Sequence, residues 1–187
     1  MLNYNSVIRN EINHENVSVK EISTVMKINL RGKKREFLTN IGKNLNMILP
    51  TEANTSTASD KLTAIWLSPD EWMIVSNQLV SKDTNKYETH EMLFNSISKT
   101  TLGAVVDVTD QFVQLELKGE NVYEIFSAGS PFNFNEFKEK KGSTAQTVLN
   151  HIDVILHHKE ENAVNLLVRR SFAEHLWFWI EDCTSRL

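Results

Sequence analysis

The side chains of this sequence that could do chemistry are one cysteine, six histidines and a scatter of carboxylates. Cys183 lies in the last turn of a predicted helix, far from any helix N-terminus that would lower its pKa, and this favours a buried structural thiol over a nucleophile. His157 and His158 are neighbours on a predicted strand, so they point to opposite faces of the sheet and do not share a metal ion. His151 and Asp153 share a face, but two ligands alone are a weak metal signal.

The remaining candidates also favour structural roles. His90 falls on the apolar face of a predicted helix and is interpreted as a core or boundary histidine rather than a ligand. Asp107 and Asp110 bracket a strand end, where solvated turn carboxylates are expected rather than an acid–base pair. The six glycines are too widely spaced for a dinucleotide-binding loop or a Walker A loop. We therefore predict no catalytic, cofactor-binding or metal-binding residue in this chain.

Composition narrows the classes of protein to consider. The chain has 187 residues, of which 41% are hydrophobic, enough for the core of one domain of ordinary size. No apolar run approaches the ~20 residues of a membrane span, and the N-terminus lacks the pattern of a secretory signal. A single cysteine excludes an internal disulfide framework, which favours a cytoplasmic protein. The net charge of −4 argues against a dedicated nucleic-acid binder, and the basic run 31–35 is interpreted as the solvated start of a helix.

The spacing of apolar residues predicts the elements that would position these side chains. In the first half they are a polar, mobile tail (1–16), one or two strands (17–30), an amphipathic helix (33–48), a flexible loop (51–61), a hairpin (62–76) and a helix (83–99). In the second half they are strands over 104–110 and 112–119, a short helix (122–129), an irregular stretch (132–142), three strands (Thr144–Leu149, Ile152–His157, Val164–Arg169) and a final helix. Helices that alternate with hairpins predict an α+β fold, with mixed or antiparallel sheets and packed helices in two βαβ-type halves, as a single domain over 17–187.

The final helix, within residues 168–182, carries the strongest local signals. Ser171 and Glu174 have the spacing of a capping box, which predicts that the helix begins at Ser171. On a 3.6-residue period Phe172, Leu176 and Trp179 share one face with Cys183, so this face is predicted to point into the core.

One aromatic residue of this helix does not fit a single apolar face. Phe178 projects among acidic residues, and Trp177 broadens the apolar surface further. Two interpretations stay open: another part of this chain covers Phe178, or Phe178 docks on a partner subunit with Arg169 or Arg170 at the rim of the contact. The second rests on the enrichment of aromatic residues and arginine at protein interfaces.

A family resemblance adds to these observations. It rests on an ordered series of motifs between about residues 65 and 179: WLSPDEWMIV, VDVTD, a strand that ends in LKG, a helix that ends in AGSP, and LLVRRSFAEHLWFWIED. In this order they resemble the gamma subunit of heterotetrameric sarcosine oxidase. That subunit is itself similar to the folate-binding region of the glycine-cleavage aminomethyltransferase. In the corresponding Asp-x-Ser-His motif, Thr109 stands for the serine and Asp110 for the histidine.

The resemblance implies an accessory role in a larger enzyme. The complete complex oxidatively demethylates sarcosine to glycine, forms hydrogen peroxide and can pass the one-carbon unit to tetrahydrofolate. In that family the sites for FAD, FMN, NAD and tetrahydrofolate lie on the alpha and beta subunits, and gamma packs on alpha, with beta and delta completing the heterotetramer. Two alternatives are a free-standing folate-binding protein of the aminomethyltransferase fold and a regulatory protein with no connection to sarcosine.

Overall fold

The computed structural model describes residues 4–81, 83 and 86–187. They form two compact units, which are described separately. The first unit comprises residues 4–5 and Thr24–Thr109, and the second comprises Ser6–Ser23 and Asp110–Leu187. After residues 4–5, the chain therefore begins the second unit, builds the rest of the first unit, and then returns to complete the second.

The strands in chain order are β1 (Ile12–His14), β2 (Val17–Glu21), β3 (Lys27–Arg31), β4 (Ser56–Ala58), β5 (Leu62–Ser68), β6 (Glu71–Ser76), β7 (Ala104–Asp107), β8 (Phe112–Lys118), β9 (Thr144–Leu149), β10 (Ile152–Glu160) and β11 (Ala163–Arg169). The helices are α1 (Arg35–Leu45), α2 (Glu88–Leu93), α3 (Val122–Gly129), α4 (Asn135–Glu139) and α5 (Ala173–Thr184). A π-helical turn (Phe94–Ser98) continues α2, and a 3₁₀ turn (Arg170–Phe172) precedes α5. No helix among the described residues is long and apolar enough to cross a membrane.

The first unit is built on a five-stranded sheet in the order β4-β5-β6-β3-β7, with every neighbouring pair antiparallel. Phe37, Ile41 and Leu45 recur every four residues along α1, so they share one face of the helix and enter the core. The rings of Phe37 and Trp72 lie 5.9 Å apart, which joins this helix to β6. The predicted helix over 33–48 is thus present with shorter bounds, and the predicted hairpin over 62–76 is present with the predicted bounds.

The second helix of this unit departs from its predicted phase. Tyr87 and Ile97 are buried as expected, but Phe94 is 40% exposed. The predicted common face fails at both ends: Tyr87 is the extended N-cap residue and lies outside the helical phase, and the π-helical turn that begins at Phe94 shifts the phase of the residues after it, including Ile97. His90 lies at the boundary of the core, where its ring stacks near that of Phe94 at 6.0 Å.

The second unit is built on a six-stranded antiparallel sheet in the order β1-β2-β8-β11-β10-β9. Its core lies on the sheet face that Val113, Leu115 and Leu117 share by strict alternation. Aromatic side chains from α3, α4 and the segment between them extend that core: Tyr123, Phe126, Phe132, Phe134 and Phe137. The predicted α+β class with antiparallel sheets and packed helices is confirmed.

Three sequence predictions of irregular structure are wrong. Within the predicted tail 1–16, the described part contains β1 and buries Ile8 and Ile12. The predicted flexible loop 51–61 contains β4, which pairs with β5. The irregular stretch 132–142 contains α4, which buries Phe137. Backbone pairing orders the first two segments, whose compositions are polar. The third is ordered by the core contacts of Phe132, Phe134 and Phe137.

The two ends of the first unit are joined by a set of hydrogen bonds that we name the Lys27–Thr109 clamp. The backbone N–H of Lys27 donates to Thr109 Oγ1 at 2.9 Å, and the backbone N–H of Val108 donates to the Lys27 carbonyl at 2.9 Å. The Lys27 side chain is fully buried, and its Nζ donates to the carbonyls of Val25 at 3.0 Å and Thr109 at 3.4 Å. The clamp therefore extends the β3–β7 pairing up to the residues where the chain enters and leaves the unit.

The clamp predicts a cost for removing one hydroxyl. In Thr109→Val the side chain keeps its shape, but the buried backbone N–H of Lys27 loses its acceptor, so the free energy of unfolding should fall by about 1–3 kcal/mol. Thr100→Val is the matched control, because the Thr100 hydroxyl is bonded to a helix carbonyl in an exposed position, and it should change stability by about 0.5 kcal/mol or less. Urea unfolding measures the change in the free energy of unfolding for both variants. Equal changes would show that the Thr109 hydroxyl adds no stability through the clamp.

Candidate functional site

The final helix begins later than the capping-box spacing predicts. A 3₁₀ turn occupies Arg170–Phe172, and α5 begins at Ala173 with Phe172 in the N-cap position and no side-chain capping bond. Ser171 lies inside the 3₁₀ turn, so the predicted bond between Ser171 and Glu174 does not form. The capping-box prediction is therefore wrong.

The buried face of α5 is also rotated from the predicted one. Ala173, Leu176, Trp177, Ile180 and Thr184 are buried. Phe172, predicted to point inward, is 48% exposed, and Trp179 lies at the edge, only partly buried. At ~100° per residue the observed face lies roughly a quarter turn from the predicted one. Leu176 is the residue common to both.

The predicted partner-interface residues have different environments in the structure. Trp177 is 3% exposed and belongs to the core, so its predicted place on an interface surface is wrong. Phe178 is 59% exposed. The Arg169 guanidinium lies over the Phe112 ring, 5.9 Å from its centroid, and the half-buried Arg170 donates its backbone N–H to the Gln111 carbonyl at 2.8 Å. The structure leaves Phe178 as the exposed aromatic candidate on α5.

Three of the four one-turn neighbours of Phe178 on the helix surface are carboxylates, and the fourth is the exposed His175. Glu174 and Asp182 lie one turn before and after it, and Glu181 lies three residues on, so all three are its neighbours on an α-helix. All three are exposed. Asp182 also accepts a hydrogen bond from Arg186 at 2.6 Å, an exposed ion pair one turn along the chain. The outer face of α5 therefore combines a large apolar ring with negative charge.

A shallow cleft of about 440 Å³ lies beside the edge of α5 that carries Trp179. Trp179 and Gly129 lie against each other in its lining, and a Cβ at position 129 would come within 2.5 Å of the indole ring. Asn150 and His151 form the turn between β9 and β10, both with positive φ (47° and 66°). This conformation costs a histidine about 1 kcal/mol or more, because its Cβ approaches the backbone. The lining of this cleft contains no acidic or basic side chain except the imidazole of His151.

The histidines of β10 point to opposite faces of the sheet, as predicted. His158 packs among the aromatic side chains of the core, and its Nδ1 lies 3.0 Å from the Lys140 carbonyl. A carbonyl only accepts, so Nδ1 carries the proton. His157 is buried on the other face, where burial first, and then the charges of His158 and Lys159, lower its pKa to about 4.

On the same sheet face as His157, a buried carboxylate is neutralised by two lysines. Glu116 lies 3.1 Å from Lys118 and 3.0 Å from Lys159. Burial raises the pKa of Glu116, but the hydrogen bonds from these lysines outweigh burial and hold the pKa below its ordinary value. Its charge is therefore kept and compensated, as a structural ion pair requires.

The other sequence candidates show no assembled catalytic group. The Cys183 thiol is half-buried, and burial and Asp182 raise its pKa, which disfavours the reactive thiolate. His151 and Asp153 are exposed, and the described residues contain no group of three or more His, Cys, Asp or Glu side chains placed to hold a metal. The Thr109 hydroxyl is engaged with the backbone of Lys27. Asp107 accepts from the Thr109 backbone N–H at 2.9 Å.

Comparison with known proteins identifies the relatives of this chain. Residues 32–186 match the model of the sarcosine oxidase, gamma subunit family. A search of curated proteins by sequence finds no match.

Two solved structures share the fold at low sequence identity. A chain of heterotetrameric sarcosine oxidase from Corynebacterium sp. U-96 is similar with a TM-score of 0.82 and 20% identity, over 94% of this chain and 88% of that one. The glycine cleavage system aminomethyltransferase T from Bartonella henselae is similar with a TM-score of 0.63 and 16% identity, over 88% of this chain. This chain spans 45% of the aminomethyltransferase.

The observed orientation of α5 predicts which substitutions destabilise the protein. Trp177→Ala leaves a large cavity in the core and should lower the free energy of unfolding by about 3–5 kcal/mol. Ser171→Ala removes no capping bond and should change it by about 0.5 kcal/mol or less. Phe178→Ala, at an exposed position of the same helix, is the matched aromatic control and should resemble Ser171→Ala. Chemical denaturation orders the three variants, and a severe loss from Ser171→Ala would contradict the observed helix start.

The environment of His157 predicts a pH dependence of stability. The unfolded state binds a proton near pKa 6.5, whereas the native imidazole does so only near 4. The unfolded state therefore holds more protons between these values. The native state is therefore most stable above pH 6.5. As the pH falls from there to 4, the free energy of unfolding should decrease by about 3 kcal/mol.

Urea melts between pH 7 and pH 4 measure this effect as a difference between variants. His157→Gln cannot bind the proton, so its stability should fall less steeply over this range than that of the wild type. His14→Gln, in an exposed position, should keep the wild-type slope. Identical slopes for wild type and His157→Gln would rule out this account of His157.

Proposed function

Because this chain belongs to the sarcosine oxidase gamma subunit family, we propose that it is the gamma subunit of a heterotetrameric sarcosine oxidase. The observation that carries the proposal is the family match, which covers residues 32–186. The similarity to a chain of the Corynebacterium enzyme over nearly the full length of both supports the same assignment at the level of fold. The complex would convert sarcosine to glycine by oxidative demethylation, with hydrogen peroxide and methylene-tetrahydrofolate as the other products.

Within that complex the chain has a structural role, and it packs on the alpha subunit. The state of its polar groups supports this role. The His158 Nδ1 proton, the Glu116 carboxylate and the Thr109 hydroxyl all make contacts that stabilise the fold itself. A catalytic acid or base would instead face a site where substrate can reach it.

The cofactors belong to the partner subunits in this proposal. FAD, FMN, NAD and tetrahydrofolate are assigned to alpha and beta, and delta completes the assembly. In the aminomethyltransferase-like motif of this chain, the Thr109 side chain is turned to the backbone of Lys27. The position of the motif's histidine holds Asp110, so the chain departs there from the residues of the aminomethyltransferase motif.

Co-expression of this chain with the large flavoprotein subunits from the same organism tests the proposal. Purification through a tag on this chain should yield a yellow complex that forms peroxide when sarcosine is added. The chain expressed alone should be colourless and form no peroxide under the same conditions. Stoichiometric flavin on the isolated chain would contradict an accessory role, and saturable binding of tetrahydrofolate to it at micromolar concentration would favour a free-standing folate-binding protein.

A further inference from the structure

The outer face of α5 carries an exposed aromatic ring within a group of carboxylates. The core side of the helix is already complete, because five residues spaced along its length are buried there. Phe178 points away from that core and leaves 59% of its surface exposed. Glu174, Glu181 and Asp182 are its neighbours at one-turn spacing. We name these four residues the acidic aromatic face.

Two properties of the acidic aromatic face work against the stability of the isolated chain. An exposed phenylalanine leaves apolar surface in water, where it gains nothing from the hydrophobic effect. Glu181 and Asp182 lie in the last turn of α5, where their charge is unfavourable beside the negative end of the helix dipole. No basic residue lies in that last turn, and Arg186 follows the helix and pairs with Asp182 alone. A bound partner of the right chemistry would reverse both effects.

We propose that the acidic aromatic face docks into an apolar socket rimmed by lysine or arginine side chains on a neighbouring subunit of the complex. The proposal rests on the proposed function for the existence of that complex and adds the surface and its chemistry. The Phe178 ring fills the socket and loses its contact with water, as a central interface residue does. Glu174 and Glu181 pair with the basic rim, which steers association and fixes its orientation, while Asp182 keeps its ion pair with Arg186.

The charges of this face argue against the same face of a second copy as the occupant. In a two-fold symmetric contact the same surface meets itself. The carboxylates around one ring would then face the carboxylates around the other. Arg186 compensates Asp182, but Glu174 and Glu181 of the two copies would be brought together as like charges, which oppose association. Arg169 and Arg170 precede α5 and lie about 12 Å or more from Phe178 along the helix axis, so they do not neutralise this group.

Competition for the assembled complex tests the contribution of Phe178. Complexes containing fluorescently labelled wild-type chain are challenged with unlabelled wild type or Phe178→Ala, and displacement gives relative affinities. Phe178→Ala should bind at least about 30-fold more weakly, the loss for an interface hot spot. Phe172→Ala is the matched control, because Phe172 is also an exposed aromatic residue (48%) but lies in the 3₁₀ turn before α5, outside the acidic aromatic face, and it should compete as well as wild type. Urea melts confirm that both variants are folded.

The carboxylates are tested by their dependence on salt. The double variant Glu174→Gln with Glu181→Gln should compete less well than wild type at ~0.05 M salt and nearly equally at ~0.5 M, because salt screens the pairs it lacks. The double variant Glu160→Gln with Glu161→Gln makes the same charge change at the exposed turn after β10. It should compete as well as wild type at both salt concentrations.

The outcomes separate this inference from the proposed function. If wild-type chain forms no complex with the flavoprotein subunits, the proposed function fails. If the complex forms and Phe178→Ala competes as well as wild type, the docking surface is elsewhere and only this inference is overturned. If purified wild-type chain is a dimer by light scattering and Phe178→Ala is a monomer, the occupant is a second copy, which also overturns it. Weaker competition by Phe178→Ala with a salt-dependent loss in the glutamine variant supports the docking face as proposed.

Discussion

The first unit depends on hydrogen bonds that its two ends make with each other. β3 lies between β6 and β7 in the sheet, and the Lys27–Thr109 clamp continues the β3–β7 pairing to the residues where the chain enters and leaves. A fully buried lysine would destabilise this position if its ammonium had no acceptor. The carbonyls of Val25 and Thr109 accept hydrogen bonds from the Lys27 Nζ, so the buried amino group has acceptors. The motif VDVTD thus has a structural explanation in this chain, with its threonine at the centre.

Elements with one strong local signal could be predicted from the sequence, and those ordered by distant contacts could not. The turn Ser68-Pro69-Asp70 and its two apolar flanks predict the β5–β6 hairpin, and the spacing of Phe37, Ile41 and Leu45 predicts α1. β4 has a polar sequence and is held by backbone pairing with β5, which leaves no apolar pattern to detect. The π-helical turn after α2 has no signal in the apolar period, so the face predicted to be shared by Phe94 and Ile97 is not formed.

For α5, too, the sequence predicts that a helix forms but not which of its faces is buried. From Leu176 to Ile180 every residue of α5 is apolar, so several rotations of the helix give an acceptable apolar face. The choice among them is made by packing against the core of the second unit, which takes Trp177 inward and leaves Trp179 at the edge. Phe178 could be recognised from sequence because its one-turn neighbours on the helix are three carboxylates and a histidine. Polar neighbours were thus a better guide to the exposed surface than apolar residues were to the buried one.

The discontinuity of the second unit has a consequence for how the protein is made. Ser18 on β2 pairs with Lys118 on β8, 100 residues later in the chain. At ribosomal speeds of ~5–20 residues per second, β2 waits roughly 5–20 seconds for its partner strand. During that interval the first unit can fold, while β1 and β2 remain a two-stranded hairpin with an open edge, marginally stable and prone to pair with other chains. Chains that are being synthesised on the same messenger RNA are therefore prone to pair wrongly with each other through β1 and β2. At this stage no part of α5 has been synthesised.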